Sequence, residues 1–111
     1  MVPEIVVDGV RKWAVDKTPP EWRHEMRVEV DETPRGLNIF ECRPPWPGSA
    51  TPEWVRSPVA RLGYVARRNE WTLYWGDSND RFRRYPDVAP TTRVRDLLDV
   101  IDADAYGAFW G

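Results

Sequence analysis

The chain has 111 residues, of which 41% are hydrophobic and 31% are charged. This length favours a single domain over residues 1–111, and this composition excludes collagen-like, coiled-coil and wholly disordered chains. The formal net charge of −2 gives no overall attraction to nucleic acid or to an anionic membrane.

The first predicted element is a helix over residues 3 to about 16. Its apolar residues recur at the spacing that places side chains on one side of an α-helix, namely Val6, Val10, Trp13 and Ala14. The Thr-Pro-Pro run at 18–20 ends this helix, because proline cannot continue helical hydrogen bonding.

Two strands of a hairpin are predicted next. Residues 27–31 alternate polar and apolar side chains, as a half-buried strand does, and residues 36–43 form the second strand. Residues 32–35 (Glu-Thr-Pro-Arg) have the composition and length of a four-residue hairpin loop. The two strands are therefore antiparallel neighbours.

The register of this hairpin follows from its apolar residues. If Asp31 lies opposite Gly36, the apolar side chains of the two strands gather on one face, with Val30 facing Leu37, Val28 facing Ile39 and Met26 facing Glu41. A slip of one residue would scatter them. This register also turns the Glu41 carboxylate toward the apolar face, near the end of its strand.

A proline-rich segment follows at 44–58. Its five prolines exclude a central strand and a regular helix, so we expect an irregular loop. Trp46 and Trp54 indicate that this loop folds back on an apolar surface. Three antiparallel strands then follow at 59–67, 71–75 and 81–85, separated by short polar turns.

The last predicted element is a helix that opens at Pro-Thr-Thr, residues 90–92, with a threonine as its N-cap. Its apolar residues form one stripe, consisting of Val94, Leu97, Leu98 and Ile101, and its solvent side carries Asp96, Asp99 and Asp102. Phe109 and Trp110 are too apolar to stay in water, and we expect both to dock on the domain.

This order of elements predicts an α+β fold. A single antiparallel sheet of about five strands, with an N-terminal and a C-terminal helix packed on one face, is the simplest arrangement that buries all the apolar stripes. No apolar run approaches the roughly 20 residues of a membrane-spanning helix, and no signal peptide is visible. With one cysteine, no internal disulfide can form, and we expect a cytoplasmic protein without membrane association.

Several segments of the chain resemble a family of short bacterial proteins known as domain of unknown function 3024. The segments are Glu-Cys-Arg-Pro-Pro-Trp at 41–46, Trp-x-Leu-Tyr-Trp-x-Asp-x-Asn at 71–79 and Phe-Trp-Gly at 109–111, with further likeness at 52–54, 58–62 and 96–98. The resemblance implies one self-contained domain in a cytoplasmic bacterial protein. It implies no activity and no catalytic residues.

The residues themselves give little support for an enzyme or a metal site. His24 and Cys42 are single residues of their types that would serve as base and nucleophile, but isolated residues of these types are more often structural. The turn that begins at Asp77 starts like a calcium loop but has Phe82 where that loop needs glycine. We therefore predict no catalytic residue, no metal site and no cofactor.

Glu41 is the acidic residue of most interest. A half-buried carboxylate must be paired or must change its pKa, and such groups occur often at functional sites. An ion pair with Arg43, two residues along the chain, is the structural interpretation, and we favour it. The alternative interpretation is a small enzyme that uses Glu41 as its acid or base.

The basic residues suggest a binding surface instead. Residues 56–84 contain seven basic and three acidic residues, and fourteen of the sixteen basic residues of the chain are arginine. Arginine and tryptophan are enriched at binding hot spots, and the chain has seven tryptophans. We expect arginines and aromatic side chains to cover the uncovered sheet face, with Arg81 and Arg83 on one side of their strand and Phe82 and Arg84 on the other.

The sequence therefore favours a non-enzymatic binding domain for a protein or peptide partner. The candidate ligand-binding residues lie on the sheet face and on the proline-rich loop, and they are Glu41, Arg43, Trp46, Trp54, Arg61, Tyr74, Arg81 and Arg83. Single-stranded nucleic acid is an alternative ligand for the same surface, because bases stack on aromatic rings and on arginine. The sequence does not determine the oligomeric state.

Overall fold

The computed structural model describes residues 2–110, so Met1 and the Gly111 of the 109–111 motif lie outside the described residues. Within that range the elements are, in chain order, α1 (Glu4–Asp16), a 3₁₀ turn (Pro20–Trp22), β1 (Arg27–Thr33), β2 (Gly36–Arg43), β3 (Val55–Val65), a second 3₁₀ turn (Ala66–Arg68), β4 (Glu70–Gly76), β5 (Phe82–Arg84) and α2 (Val94–Ala103).

The five strands form one antiparallel sheet in the order β1-β2-β3-β4-β5, so each strand is hydrogen-bonded to its neighbour in sequence. The predicted α+β fold, with one antiparallel sheet of about five strands and a helix near each end, is confirmed. Neither of the helices described within residues 2–110 has the length and apolar character needed to cross a membrane.

The hydrophobic core lies between the two helices and one face of the sheet, which we call the helix-covered face. Leu37 and Ile39 of β2 and Leu73 of β4 are buried there together with Val10 of α1 and Ile101 of α2. Each such side chain contributes about 1.5–3 kcal/mol when it leaves water. Burial of these alternating strand residues holds both helices on the same face.

The β1–β2 hairpin is tighter than predicted. Thr33 pairs with Gly36, so only two residues form the loop, and Val28 lies opposite Glu41 rather than Ile39. The predicted register is therefore wrong by two residues. Because an even slip leaves every side chain on the same face, the apolar pattern could not distinguish the two registers.

Two of the later strands also differ from their predicted bounds. Strand β3 begins at Val55, so the irregular proline-rich segment covers residues 44–54 rather than 44–58. Strand β5 contains only residues 82–84 of the predicted five. The proline-rich sequence hid the start of β3 because Pro58 lies inside the strand.

Pro58 is accommodated at an irregularity between β2 and β3. Ile39 pairs with Ala60, but the next residue, Phe40, pairs with Pro58, so Val59 has no partner of its own. Such a bulge interrupts the hydrogen-bonded ladder, and a residue without an N–H is tolerated there.

Helix α2 begins at Val94, with Arg93 as its N-cap, so the predicted threonine N-cap is wrong. Thr91 instead forms an isolated β-bridge with Trp71. Its hydroxyl accepts the Arg93 N–H at 3.1 Å and donates to Asp96 at 3.0 Å, so Thr91 fixes the segment that precedes the helix.

The C-terminal residues dock on the domain as predicted. Phe109 is buried, and the rings of Trp110 and Trp13 lie 6.4 Å apart between centroids. Asp102, predicted to face solvent, accepts the indole N–H of Trp13 at 3.2 Å from both carboxylate oxygens and forms an ion pair with Lys17. These contacts connect α2 and the C-terminal residues to α1.

Two glycines are expected to respond in opposite ways to substitution by alanine. Gly9 lies in α1 with open space around its Cα, so Gly9→Ala is expected to stabilise the domain by about 0.5–1 kcal/mol. A Cβ on Gly36 would collide with the backbone carbonyl of Leu62, so Gly36→Ala is expected to destabilise it by about 1–3 kcal/mol. Urea denaturation measures both changes, and a stable Gly36→Ala variant would contradict this close approach of β2 and β3.

Candidate functional site

The sheet face opposite the helices carries the candidate site, and we call it the open face. Successive side chains of a strand point to opposite faces of the sheet, so the residues that alternate with buried core residues lie on the open face. Its principal side chains are Arg27, Glu29 and Asp31 of β1, Asn38, Phe40 and Cys42 of β2, Arg56 and Arg61 of β3, Tyr74 of β4, and Phe82 and Arg84 of β5.

One row of this face crosses all five strands. Asp31 pairs with Asn38, Asn38 with Arg61, Arg61 with Tyr74, and Tyr74 with Arg84. Directly opposed residues in an antiparallel sheet have Cβ atoms about 4.5–5.5 Å apart. The row therefore places an aromatic ring between two guanidinium groups, with a carboxylate at the far edge.

Two contacts fix the side chains at the centre of this row. Arg61 Nη1 donates to Asn38 Oδ1 at 2.8 Å and to Thr33 Oγ1 at 3.4 Å, so neutral acceptors hold its guanidinium. The ring of Tyr74 lies against Gly63, since a Cβ there would come within 2.9 Å of the Tyr74 Cε1 atom. Both side chains are thus held in place while remaining partly exposed.

A second row of the open face is apolar. The rings of Phe40 on β2 and Phe82 on β5 lie 6.4 Å apart between centroids in an edge-to-face arrangement. The strands between them contribute only Pro58 and Gly76, which approach each other so closely that a Cβ on Gly76 would collide with the Pro58 carbonyl. Two edge-to-face phenylalanines therefore lie beside the arginine and tyrosine row.

The β1 side of the open face is already internally paired. Arg56 contacts Asp31 at 2.9 Å and Glu29 at 3.6 Å, and its guanidinium lies 4.1 Å from the centre of the Phe40 ring. Beneath it, burial raises the pKa of the Cys42 thiol above its ordinary value, although the Arg56 hydrogen bond opposes this change. A buried neutral thiol is a weak nucleophile.

Three arginines of the open face lack a carboxylate partner among residues 2–110. Arg27 stacks on the Trp54 ring at 3.7 Å, Arg61 bonds to neutral groups, and Arg84 forms no ion pair within that range. Guanidinium groups without a carboxylate can form paired hydrogen bonds to an external carboxylate or phosphate.

The structure separates the eight predicted site residues. Arg61 and Tyr74 lie side by side on the open face, and Trp54 lies at its end against Arg27. Trp46 is 67% exposed in the irregular segment.

Arg81 and Arg83 do not lie on the open face with Arg61, and that expectation is wrong. Arg83 pairs across the sheet with Trp75, which lies on the same face of β4 as the core residue Leu73. Arg81 lies in the turn before β5. The five-residue turn between β4 and β5 determines which residues of β5 face each side of the sheet, and the sequence did not reveal this. Arg84 takes the place on the open face that Arg83 was expected to have.

Glu41 and Arg43 lie on the helix-covered side at the end of β2. The Arg43 side chain contacts Glu41 Oε1 through Nε at 2.8 Å and through Nη2 at 2.7 Å. The Glu41 side chain is 19% exposed and lines a cavity of about 300 Å³ together with Lys17, Met26 and Trp110. The geometry matches the favoured ion-pair interpretation of this carboxylate.

His24 and Cys42 have separate surroundings. His24 is exposed beside Glu25, with 3.7 Å between the nearest nitrogen and oxygen, whereas Cys42 is buried next to Arg56 and Glu29. Across residues 2–110, no group of three or more histidine, cysteine, aspartate or glutamate side chains is arranged to hold a metal ion.

Sequence reasoning missed several residues of the open face, chiefly Arg27, Phe40, Arg56, Phe82 and Arg84. Because side chains alternate along β2, Phe40 lies on the other face of the sheet from its neighbour Ile39, so the position of Phe40 on the open face was predictable. Arg56 was hidden because the start of β3 looked like loop, and Arg84 depended on the phase of β5.

The family model described as "Domain of unknown function (DUF3024)" matches residues 3–111. This match includes both helices and all five strands. No curated protein and no solved structure matches the chain.

Asp77 explains why Arg83 is unavailable for an external ligand. Its Oδ1 atom accepts the backbone N–H of Asn79 at 2.8 Å and of Arg81 at 3.0 Å, and its Oδ2 atom contacts Arg83 Nε at 2.5 Å. The Arg81 backbone hydrogen bond, followed by the Arg83 side chain, lowers the pKa of Asp77 below its ordinary value. The ionised carboxylate therefore stabilises the folded turn.

Asp77→Asn is expected to lower stability at neutral pH, because the amide keeps one acceptor but loses the charge. Because the pKa of Asp77 is lower in the folded protein than in the unfolded chain, its charge stabilises the fold at pH values above the unfolded-state pKa. This stabilisation is lost as the pH falls through the folded-state pKa. The difference from the unmodified protein should therefore shrink in acid, as measured by urea denaturation at several pH values. Asp80→Asn, in the same turn, is the control, since Asp80 forms no ion pair among residues 2–110, and equal losses in the two variants would contradict the role of Asp77.

Proposed function

The chain belongs to the DUF3024 family, and we propose that it is a non-enzymatic binding domain that recognises an acidic segment of a protein partner through its open face. The row formed by Arg61, Tyr74 and Arg84 is the observation that carries this proposal. The expected setting is the bacterial cytoplasm, a reducing compartment that suits the single free thiol of Cys42.

The chemistry of the row supports a carboxylate-bearing ligand. Arg61 uses part of its hydrogen-bonding capacity on Asn38 and Thr33, and a guanidinium has five N–H donors. Arg84 is exposed at the edge strand. Two arginines that flank a tyrosine offer charge-assisted hydrogen bonds and a flat apolar contact, the combination that dominates protein binding hot spots.

The charge distribution favours a protein partner over nucleic acid. Glu29 and Asp31 lie on the same face and are only partly neutralised by Arg56. A phosphate backbone laid across all five strands would meet these carboxylates, whereas a short acidic segment over β3, β4 and β5 would not. The net charge of −2 also opposes binding of a long polyanion.

Single-stranded nucleic acid is the second candidate because three aromatic side chains share the face. Tyr74, Phe40 and Phe82 offer rings on which bases can stack, each typically worth about 1–3 kcal/mol in single-strand binders. Phe40 and Phe82, however, pack against each other edge-to-face, whereas the Tyr74 ring packs against Gly63.

An enzyme that uses Glu41 has less support. Its carboxylate already accepts two contacts from Arg43, and the ionised pair resembles a structural link between neighbouring residues of β2. General acid or base catalysis needs a carboxylate oxygen that can reach a substrate proton, and the Arg43 contacts already occupy Glu41 Oε1.

Arg61→Ala and Arg84→Ala are each expected to weaken partner binding by roughly fivefold or more, because each removes a hot-spot contact. The measurement is affinity capture from the native cell extract, followed by titration of the captured protein. Arg81→Ala is the matched control, since it removes an exposed arginine side chain from the turn before β5, off the open face, and leaves the Asp77–Arg83 ion pair in place.

The same experiment separates the candidates. Capture that resists nuclease and depends on Arg61 and Arg84 supports the proposal. Capture that nuclease abolishes, with oligonucleotide affinity that falls steeply as salt rises, would favour nucleic acid instead. Equal loss in Arg81→Ala and Arg84→Ala would contradict the assignment of the open face.

A further inference from the structure

A cavity of about 600 Å³ lies at one end of the sheet, where two turns of the chain meet. One is the two-residue turn of the β1–β2 hairpin, and the other is the 3₁₀ turn that follows β3. They are neighbours because β2 begins beside the end of β3, and the Tyr64 N–H donates to the Arg35 carbonyl at 2.7 Å. The lining residues are Pro34, Arg35, Tyr64, Val65, Ala66 and Arg67.

The lining of this cavity carries two positive charges and no negative charge. Arg35 belongs to the hairpin turn and Arg67 to the 3₁₀ turn, and neither forms an ion pair among residues 2–110. Two like charges that line one cavity repel each other, and an anion placed between them removes this repulsion. The cavity therefore suits an anionic ligand.

The charged residues around the cavity do not cancel this charge. Glu32 precedes the hairpin turn and Glu70 follows the 3₁₀ turn. Two further arginines offset these carboxylates, since Arg68 lies in the 3₁₀ turn and the Arg61 guanidinium reaches Thr33 beside the hairpin turn. Four arginines and two glutamates leave a net charge of +2 at this end of the sheet.

The uncharged part of the lining suits an apolar group beside the anion. Pro34 and the 38% exposed Val65 contribute aliphatic surface. The Tyr64 ring lies 4.6 Å from the Trp71 ring between centroids, and the Tyr64 hydroxyl donates to Asn69 Oδ1 at 3.0 Å. The aromatic wall is thus held in place before a ligand arrives, which reduces the entropic cost of binding.

We propose that this cavity binds a small organic phosphate, namely a phosphate monoester with an adjoining aromatic or aliphatic group. Its volume lies within the range of about 300–1,000 Å³ typical of small-molecule sites. A phosphate monoester carries a charge of about −1.5 to −2 at neutral pH and has three acceptor oxygens, so it can engage both guanidinium groups at once. A carboxylate supplies only one negative charge. Neither Arg35 nor Arg67 belongs to the row on the open face, so the inference does not depend on the proposed function.

The test titrates the protein with phenyl phosphate and follows the backbone amide signals by NMR. The largest shifts are expected at residues 34–35 and 64–67, which line the cavity. Phenyl sulfate has a similar shape but a single charge, and inorganic phosphate lacks the ring, so each should bind several-fold more weakly. Added salt should weaken the binding of phenyl phosphate, because both arginines are exposed.

Matched variants then locate the ligand. Arg35→Gln and Arg67→Gln are each expected to weaken phenyl phosphate binding roughly fivefold or more, because each removes charge-assisted hydrogen bonds. Arg68→Gln is the control, since it removes the same charge from the next residue of the turn, which does not line the cavity, and it should change the affinity much less.

Each of four results would overturn the proposal. They are the absence of binding at millimolar phenyl phosphate, an affinity for phenyl sulfate or inorganic phosphate equal to that for phenyl phosphate, the largest amide shifts at Tyr74 or Arg84 of the open face, and equal losses in Arg67→Gln and Arg68→Gln.

Discussion

Two helices provide apolar cover for only one face of a five-stranded sheet, and the rest of the molecule follows from this constraint. Alternate residues of β2 and β4, such as Leu37, Ile39 and Leu73, are buried beneath α1 and α2. The residues that alternate with them face away from the helices, so their side chains must be stable in water or form hydrogen bonds and ion pairs with one another. The open face therefore carries arginines, carboxylates, aromatic rings and small residues, and its internal pairing decides which groups remain available.

That internal pairing is uneven across the sheet. On the β1 side, Arg56 contacts both Glu29 and Asp31 and covers Cys42, so one guanidinium partly neutralises two carboxylates there. On the β5 side, Asp77 lies in the turn and neutralises Arg83 on the helix-covered side, while Arg84 has no such partner in the part of the chain that the structure describes. Of the three open-face arginines without a carboxylate partner among residues 2–110, Arg61 and Arg84 thus lie in one row on β3 and β5, and Arg27 lies on β1.

Periodicity in the sequence was sufficient to predict the fold class, both helices and the face of most strand residues, because these depend on local alternation between water and core. It was insufficient wherever two arrangements bury the same side chains. The β1–β2 hairpin could slip by two residues without exposing Val28, and the turn before Phe82 could give β5 either phase. The candidate site was therefore predicted in composition, while Arg81 and Arg83 were assigned to the wrong surface. The bulge at Pro58 had no sequence signal of its own.

The contacts between Trp13, Asp102 and Trp110 have a consequence for the order in which the chain folds during synthesis. Trp13 and Asp102 are 89 positions apart, and the strands of the sheet lie between them. The indole N–H of Trp13 therefore lacks its acceptor, the Asp102 carboxylate, until α2 has been synthesised. Before that point, the nascent sheet has only an incompletely anchored α1 to cover its apolar face, and exposed apolar surface of this kind makes a folding intermediate prone to aggregate.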